Sequence, residues 1–218
     1  MGKTSRRRST WLPRRNTGLT PALAPLVLLL LLAPAPEARC YRVLYAEQYY
    51  ELYHQHFYQY PEDTMENIAY LEQALKADFA NPLYALARIA DRQEWAQYRT
   101  LFKMHANLKL VELYLTLGSK YDKMIAYFYN APWKRQNLES LEQAESAYRL
   151  ALGYWRESLR WAAMLPRLRF NLEQIQRWED EWKRIVTGEL DYRQIIDGHL
   201  QRLARVRSEF QAMDSSTY

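Results

Sequence analysis

The sequence predicts an all-α protein of antiparallel helical hairpins followed by long C-terminal helices. Three observations carry that prediction. After residue 36 only four prolines (Pro61, Pro82, Pro132, Pro166) and four glycines (Gly118, Gly153, Gly188, Gly198) interrupt the chain. Between them the residues are mostly Leu, Ala, Glu, Gln, Lys and Arg, which lose little side-chain freedom in a helix. No stretch alternates apolar and polar residues at the period of two that a half-buried strand requires.

The first body helix is expected over Cys40 to Tyr60, where Tyr41, Tyr45, Tyr49, Tyr53 and Phe57 recur at every fourth position and cover one face. Pro61 ends it, because proline disfavours helical backbone in the residue before it. Asp63 with Glu66 three positions later resembles a capping box for a second helix running to Asp78, with Ile68, Leu71, Ala74 and Leu75 facing inward. Asn81 followed by Pro82 reads as the start of a third helix carrying Leu86, Ile89, Ala90 and Leu101, since proline at the first helical position gives up an N–H that has no partner there. A fourth covers Asn107 to Leu117 and stops at Gly118; the join between third and fourth has no breaker, so one continuous helix is an open alternative. A fifth covers Lys120 to Asn130, with Tyr121, Met124, Ile125 and Phe128 on one side.

From Asn137 to Met164 one long helix is expected, with Gly153 its soft spot. Arg167 to Thr187 and Asp191 to Met213 follow. Leu168, Leu172, Ile175, Trp178, Trp182 and Ile185 in one, and Ile196, Leu200, Leu203, Val206, Phe210 and Met213 in the other, are spaced by threes and fours, the rhythm of antiparallel bundle helices.

Ahead of this body, residues 1–18 carry six cations and no acid, and the apolar stretch Leu19 to Ala35 follows. Residues 1–36 therefore read as a signal peptide or N-terminal membrane anchor, at the short end of the roughly 17–25 residues that a span needs and interrupted by Pro21 and Pro25. From Cys40 onward there are 23 basic and 24 acidic residues, a net charge of −1, although the whole chain carries +5. The basic character thus belongs to the leader, and the body has no general electrostatic reason to bind nucleic acid. Cys40 is the sole cysteine, which excludes an internal disulfide. Its place after the apolar run makes it a candidate for lipid attachment, against which Arg39 beside the cleavage point argues. The body is expected outside the cytoplasm, periplasmic or membrane-associated, organised as hairpins over 40–135 and a long-helix bundle over 136–213 packed as one unit.

Three fragments carry a resemblance. Glu72 to Ala87 reads EQALKADFANPLYALA, with Ala74 and Leu75 closing one helix and Tyr84 opening the next. Gly118 to Ala131 reads GSKYDKMIAYFYNA, with aromatic and small residues at Tyr121, Phe128 and Ala131 and a large Met124 between them. Ala144, Tyr148 and Ala151 give a small, aromatic, small spacing that lets one helix nest against another. Together they resemble degenerate tetratricopeptide repeats over residues 62–165, although Ala74, Ala131 and Ala151 are separated by 57 and 20 positions and not by multiples of about 34. The leader, the small repeat region and the long-helix tail also resemble small periplasmic repeat proteins of spirochaetes, some of which belong to the collar of the periplasmic flagellar motor. That resemblance implies a cell-envelope scaffold whose partners are other envelope proteins, including flagellar collar components.

Chemistry-bearing motifs are sparse. His54 and His56 lie two apart on a helix, about 200° around its axis, and so share no face for a metal. No Gly-rich phosphate loop, nucleophile elbow or zinc-protease motif occurs. The carboxylate clusters Glu62–Asp63 and Glu179–Asp180–Glu181 fall at helix starts or on charged faces. A non-enzymatic protein without cofactor or metal is expected. The aromatic surplus, 18 Tyr and 7 Trp, admits core packing or a binding surface. Two places favour a surface: Tyr50, Tyr58 and Tyr60, which lie outside the main stripe of the first helix, and Trp155, Arg156, Arg160 and Trp161, which alternate tryptophan with arginine. The leading expectation is an adaptor that docks a partner helix or extended segment; the alternative is a soluble carrier or chaperone that binds a ligand or secreted chain.

Overall fold

The structure is a computed structural model that describes residues 42–122, 129, 131–165 and 175–214. Cys40 and Tyr41, the leader 1–36, most of the fifth expected helix (Met124, Ile125 and Phe128 included) and Leu168 and Leu172 lie outside them. Among the described residues there are six α-helices and no strand: α1 Ala46–Gln59, α2 Thr64–Lys76, α3 Arg92–Tyr121, α4 Lys134–Met164, α5 Gln176–Val186 and α6 Tyr192–Ala212. The all-α class is thus what the chain adopts. The described residues from Val43 onward belong to one compact unit. The expected boundary at 135/136 falls in the first turn of α4.

α1 starts later than its tyrosine stripe suggests. Leu44 and Tyr45 precede the helix, and their N–H groups both donate to Gln48 Oε1, while the Ala46 N–H donates to the Asp78 carbonyl, tying the chain's entry to the segment after α2. That pairing rotates the helix so that Ala46, Glu47 and Tyr53 are buried and Tyr45 and Phe57 are exposed. α2 starts at the expected cap: the Glu66 N–H donates to Asp63 Oδ1.

The start expected at Pro82 is corrected. Asn81 Oδ1 does accept from the Leu83 N–H, but this closes only a single 3-10 turn, Pro82–Tyr84, after which Ala85 is extended. Tyr84 is exposed and lies outside any α-helix, so the helix that follows opens at Arg92 and not with Tyr84. The stronger cap is Asp91, whose Oδ1 accepts from the N–H groups of both Gln93 and Glu94, while Glu94 Oε2 accepts from the Ala90 N–H. From there one 30-residue helix absorbs the third and fourth expected helices and runs through Gly118. Its middle is buried on every side, from Leu101 and Phe102 through Met104, Ala106, Leu108, Leu110 and Val111.

α4 packs along α3. Ala144, Tyr148 and Ala151 all face inward, and the Tyr148 ring lies over the bare backbone of Gly118, where a Cβ would meet the ring's Cδ1 and Cζ at 2.7 and 2.8 Å. The small, aromatic, small spacing on α4 therefore packs against a glycine on the paired helix. α5 lies against α3 and α4, with Trp178, Trp182 and Ile185 buried, and α6 lies against α4 through Ile196, Leu203, Val206 and Phe210. Gly188 ends α5 in the left-handed conformation, φ 77°, which allows the Leu190 N–H to reach back to the Arg184 carbonyl at 2.9 Å.

Buried polar groups pin these helices together. His105 on α3 receives the Tyr50 hydroxyl at 2.8 Å and bonds Glu181 on α5, and Trp178 stacks on its ring with centroids 4.8 Å apart. Lys109 bridges Glu181 at 3.1 Å and Glu112 at 2.9 Å, and Glu112 accepts from the Tyr192 hydroxyl of α6. Burial holds the His105 imidazole below its ordinary range, so it is neutral. Glu181 is pushed up by burial, but the bond from His105 and the Lys109 charge outweigh this and hold it low, leaving an anion. The Nδ1–H then donates to Glu181 and Nε2 accepts from Tyr50. A histidine depressed in the folded state contributes stability that is present above its unfolded value near 6.5 and is lost as pH falls. On the outer side of the bundle, Glu72 Oε1 accepts from both Tyr114 and Tyr154 at 2.8 Å, and Asp122 pairs with Arg202 and accepts from Tyr148.

Glu179 behaves in the opposite way. It is buried, its Oε1 has no hydrogen-bond partner among the described residues, and burial raises its carboxyl to about 7. The folded state therefore holds this proton more tightly than the unfolded chain, and the group destabilises increasingly as pH rises from about 4.5 to 7. Replacing Glu179 by Gln is expected to raise stability at pH 8 by about 1–3 kcal/mol, since each tenfold difference in proton affinity between the folded and unfolded chain is worth about 1.4 kcal/mol, and to change little at about pH 3.5, below the unfolded value. Thermal melts at the two pH values check this.

Candidate functional site

A broad concavity lies where the end of α2 and the segment after it, the first half of α3 and the end of α4 converge. It encloses about 680 Å³. Its aromatic walls are Phe79, Trp95 and Trp161, and its cations are Lys76, Arg99 and Lys103, against one lining acid, Asp78. Trp95, Arg99 and Lys103 are spaced four apart on α3 and so form one stripe along the groove.

Each wall has a reason to be where it is. The α2 helix ends at Lys76 because Ala77 turns to extended backbone, and the Asp78 carbonyl is then held by the Ala46 N–H and the Ala80 N–H by Glu47 Oε2. That anchoring places Phe79 edge-on against Trp95, Tyr98 and Phe102, with centroids 5.1–6.3 Å apart. Trp95 stacks on buried Tyr98 at 5.4 Å, leaving the indole's other side to the groove. The Lys103 ammonium lies 4.6 Å from the Trp161 ring and 5.9 Å from Phe79, the Arg99 guanidinium 5.6 Å from Trp95, and Arg160 4.9 Å from Trp161. Arg99 and Lys103 form no ion pair with a carboxylate among the described residues. A ring face holds a cation electrostatically but takes none of its N–H donors in a conventional hydrogen bond, so these donors stay available to an incoming acceptor.

The seven residues singled out from the sequence divide. Trp161 lines the groove, and Arg160 lies over the Trp161 ring and pairs with Glu157 at 2.6 Å. Arg156 is exposed on α4 away from the lining. Trp155 is 2% exposed and meets Tyr192 edge-on at 5.6 Å, so its place is the core between α4 and α6; the alternation with arginine is there only an amphipathic helix. Tyr50 is half-buried: its ring meets Tyr53, Phe102, His105 and Trp178, its hydroxyl is bonded to His105, burial pushes that hydroxyl up to about 12, and it lines a second, smaller concavity. Tyr58 and Tyr60 are 87% and 52% exposed at the turn between α1 and α2. Cys40 lies outside the described residues. Sequence reasoning missed Phe79, Trp95, Arg99 and Lys103. The signal was legible in part, as an aromatic followed by cations at fourth positions, but the assignment of a helix at Pro82 placed the start of α3 wrongly.

A smaller concavity of about 500 Å³ is lined by Tyr50, His54, Leu86, Ile175, Arg177 and Trp178. His56 is bonded to Asn67 at 3.1 Å. Among the described residues no group of three or more His, Cys, Asp and Glu is placed to hold a metal ion, and no helix is long and apolar enough to cross a membrane.

Six helices among the described residues, a long and largely buried α3 one of them, together with a cation-bearing aromatic groove, define an all-α protein with a surface concavity. The chain belongs to the family described as domain of unknown function DUF8513, which matches residues 93–213, from the first turn of α3 to the end of α6. No curated protein and no solved structure matches the chain.

Proposed function

We propose that this protein is a non-enzymatic helical adaptor of the cell envelope that docks a protein partner in the groove between α2, α3 and α4. The observation that carries this reading is the set of aromatic faces and cations of Trp95, Arg99, Lys103 and Trp161, presented on two helices, with Arg99 and Lys103 in no ion pair among the described residues. Tyr, Trp and Arg are the residues on which protein interfaces concentrate their binding energy. By contrast, the clustered titratable groups His105, Glu181, Lys109 and Glu112 are engaged with one another and join α3, α5 and α6.

Placement in the envelope, through a leader that is cleaved or anchors the chain, follows from the cationic and apolar residues 1–36. The tetratricopeptide-like reading and membership of a periplasmic flagellar collar rest on the sequence resemblance. The carrier alternative draws on the smaller space beside Trp178. Crosslinking in cells, affinity purification from envelopes and mass spectrometry of partners and of the mature N-terminus test the proposal. Stoichiometric recovery of envelope-complex proteins, lost on Trp161→Ala but not on an exposed control substitution such as Arg156→Ala, is the expected result; a free, processed monomer with no partner would overturn it. Trp155→Ala, in the core, is expected instead to lower stability by about 3–5 kcal/mol, seen in a thermal melt.

A further inference from the structure

Resting on the reading of the groove as a docking face, we infer that its occupant is a second copy of this chain, which inserts the turn between α1 and α2, so that copies assemble head to tail. That turn is the groove's chemical complement. Tyr58, Tyr60 and Met65 are exposed by 87%, 52% and 62%, an apolar patch that the fold does not cover. Around it stand the exposed acids Glu62, Asp63 and Glu66. The groove offers the reverse: Phe79, Trp95 and Trp161 for the rings, and Lys76, Arg99 and Lys103 for the carboxylates. The body as a whole is near neutral, so two patches of opposite sign stand out against it.

The turn is also built to be presented rigidly. Asp63 caps α2, Asn67 Nδ2 donates to the Tyr60 carbonyl at 3.1 Å, and Lys120 of α3 donates to the Glu62 carbonyl, so the backbone is fixed while the Glu62 carboxylate is exposed. Turn and groove lie at opposite ends of α2, a 13-residue helix about 20 Å long at 1.5 Å per residue. They cannot meet within one molecule. Because the two surfaces differ, the contact is heterologous and propagates into a ring or a filament, not a two-fold dimer. The groove is recessed and Lys103 is half-buried beside two rings, which suits a protruding turn better than a flat anionic bilayer.

Sedimentation velocity of the full chain in mild detergent, over a range of protein concentration and salt, tests this. Mass is expected to rise with concentration and fall with added salt. Two charge reversals, E62K/E66K on the turn and R99E/K103E in the groove, leave Asp63 in place as the cap and are each expected to weaken association at least tenfold. Mixing the two reversed proteins is expected to restore it in one-to-one proportion. Tyr58→Ser, at a position too exposed to affect folding, is expected to weaken association about tenfold and serves if a double variant fails to fold. A single monomeric mass at every concentration, or association that survives both reversals unchanged, as contact through the apolar leader would, overturns the inference. If the monomer still recovers envelope partners through Trp161, or binds phosphatidylglycerol vesicles through Arg99 and Lys103, the self-assembly inference falls while the groove keeps a different occupant. If neither occurs, the docking reading falls with it.

Discussion

Replacing Glu181 by Ala lowers the melting temperature by about 10 °C, the largest effect expected of any single polar substitution in the molecule. The side chain is nearly buried and accepts from His105 on one oxygen and Lys109 on the other. Its removal leaves the Lys109 ammonium, only 15% exposed, with Glu112 alone, and strands the His105 Nδ1–H in the core. Breaking a buried pair in this way costs about 3–5 kcal/mol, because the remaining charge keeps its desolvation penalty, and for a chain of this size each kcal/mol moves the midpoint by about 2–4 °C. Glu181→Gln, which can still accept from His105 but carries no charge, should fall between wild type and Ala. If Glu181→Ala melts within about 2 °C of wild type, the network does not pin α5 to α3.

Gly118→Ala should destabilise the protein although Ala is the better helix former. In an open helix the change gains about 0.5–1 kcal/mol. At Gly118 the new Cβ would sit 2.7 Å from Tyr148 Cδ1, and that ring cannot swing away: it is fully buried, stacked on His199 at 4.7 Å and hydrogen-bonded to Asp122. Overpacking of this kind costs about 1–3 kcal/mol, and the immobile ring places the effect at the upper end, so a net loss of about 2 kcal/mol and a fall of about 5 °C are expected. Gly153 in α4 supplies the control, since nothing lies within 4 Å of its added Cβ. Gly153→Ala should raise the midpoint by about 2 °C. The opposite signs of two identical substitutions, read in one set of thermal melts, test the packing of α4 on α3.

How far the sequence was legible depended on whether an element buries one face or all of them. α6 bears its stripe as written, with Ile196, Leu203, Val206 and Phe210 buried, because it packs on one side only. α4 likewise follows its pattern over nearly its full length, and Gly153 does not break it. α3 was harder: its middle is enclosed by α2, α4 and α5, so apolar residues occur at every angle and no period marks it as one helix. Pro82 misled because a proline after asparagine is as good a start for one 3-10 turn as for an α-helix, and only Asp91, with two N–H groups on one carboxylate oxygen, decides where the long helix begins. Among the candidate residues, tryptophan and tyrosine identity alone did not separate surface from core. Trp155 and Trp161 are six positions apart on one helix, yet one is enclosed by α6 and the other faces the groove, a difference set by tertiary packing and not by local sequence.

The most direct test of the docking groove is a photo-crosslinking residue placed at Ala96, an exposed position on the groove's lining, with Ser208 on the exposed side of α6 as the control. Irradiation in cells is expected to give a discrete adduct from Ala96, whose mass identifies the occupant, and none from Ser208. Absence of any adduct at Ala96, or the same ladder of products from both positions, would contradict the assignment of this groove as the protein's docking face.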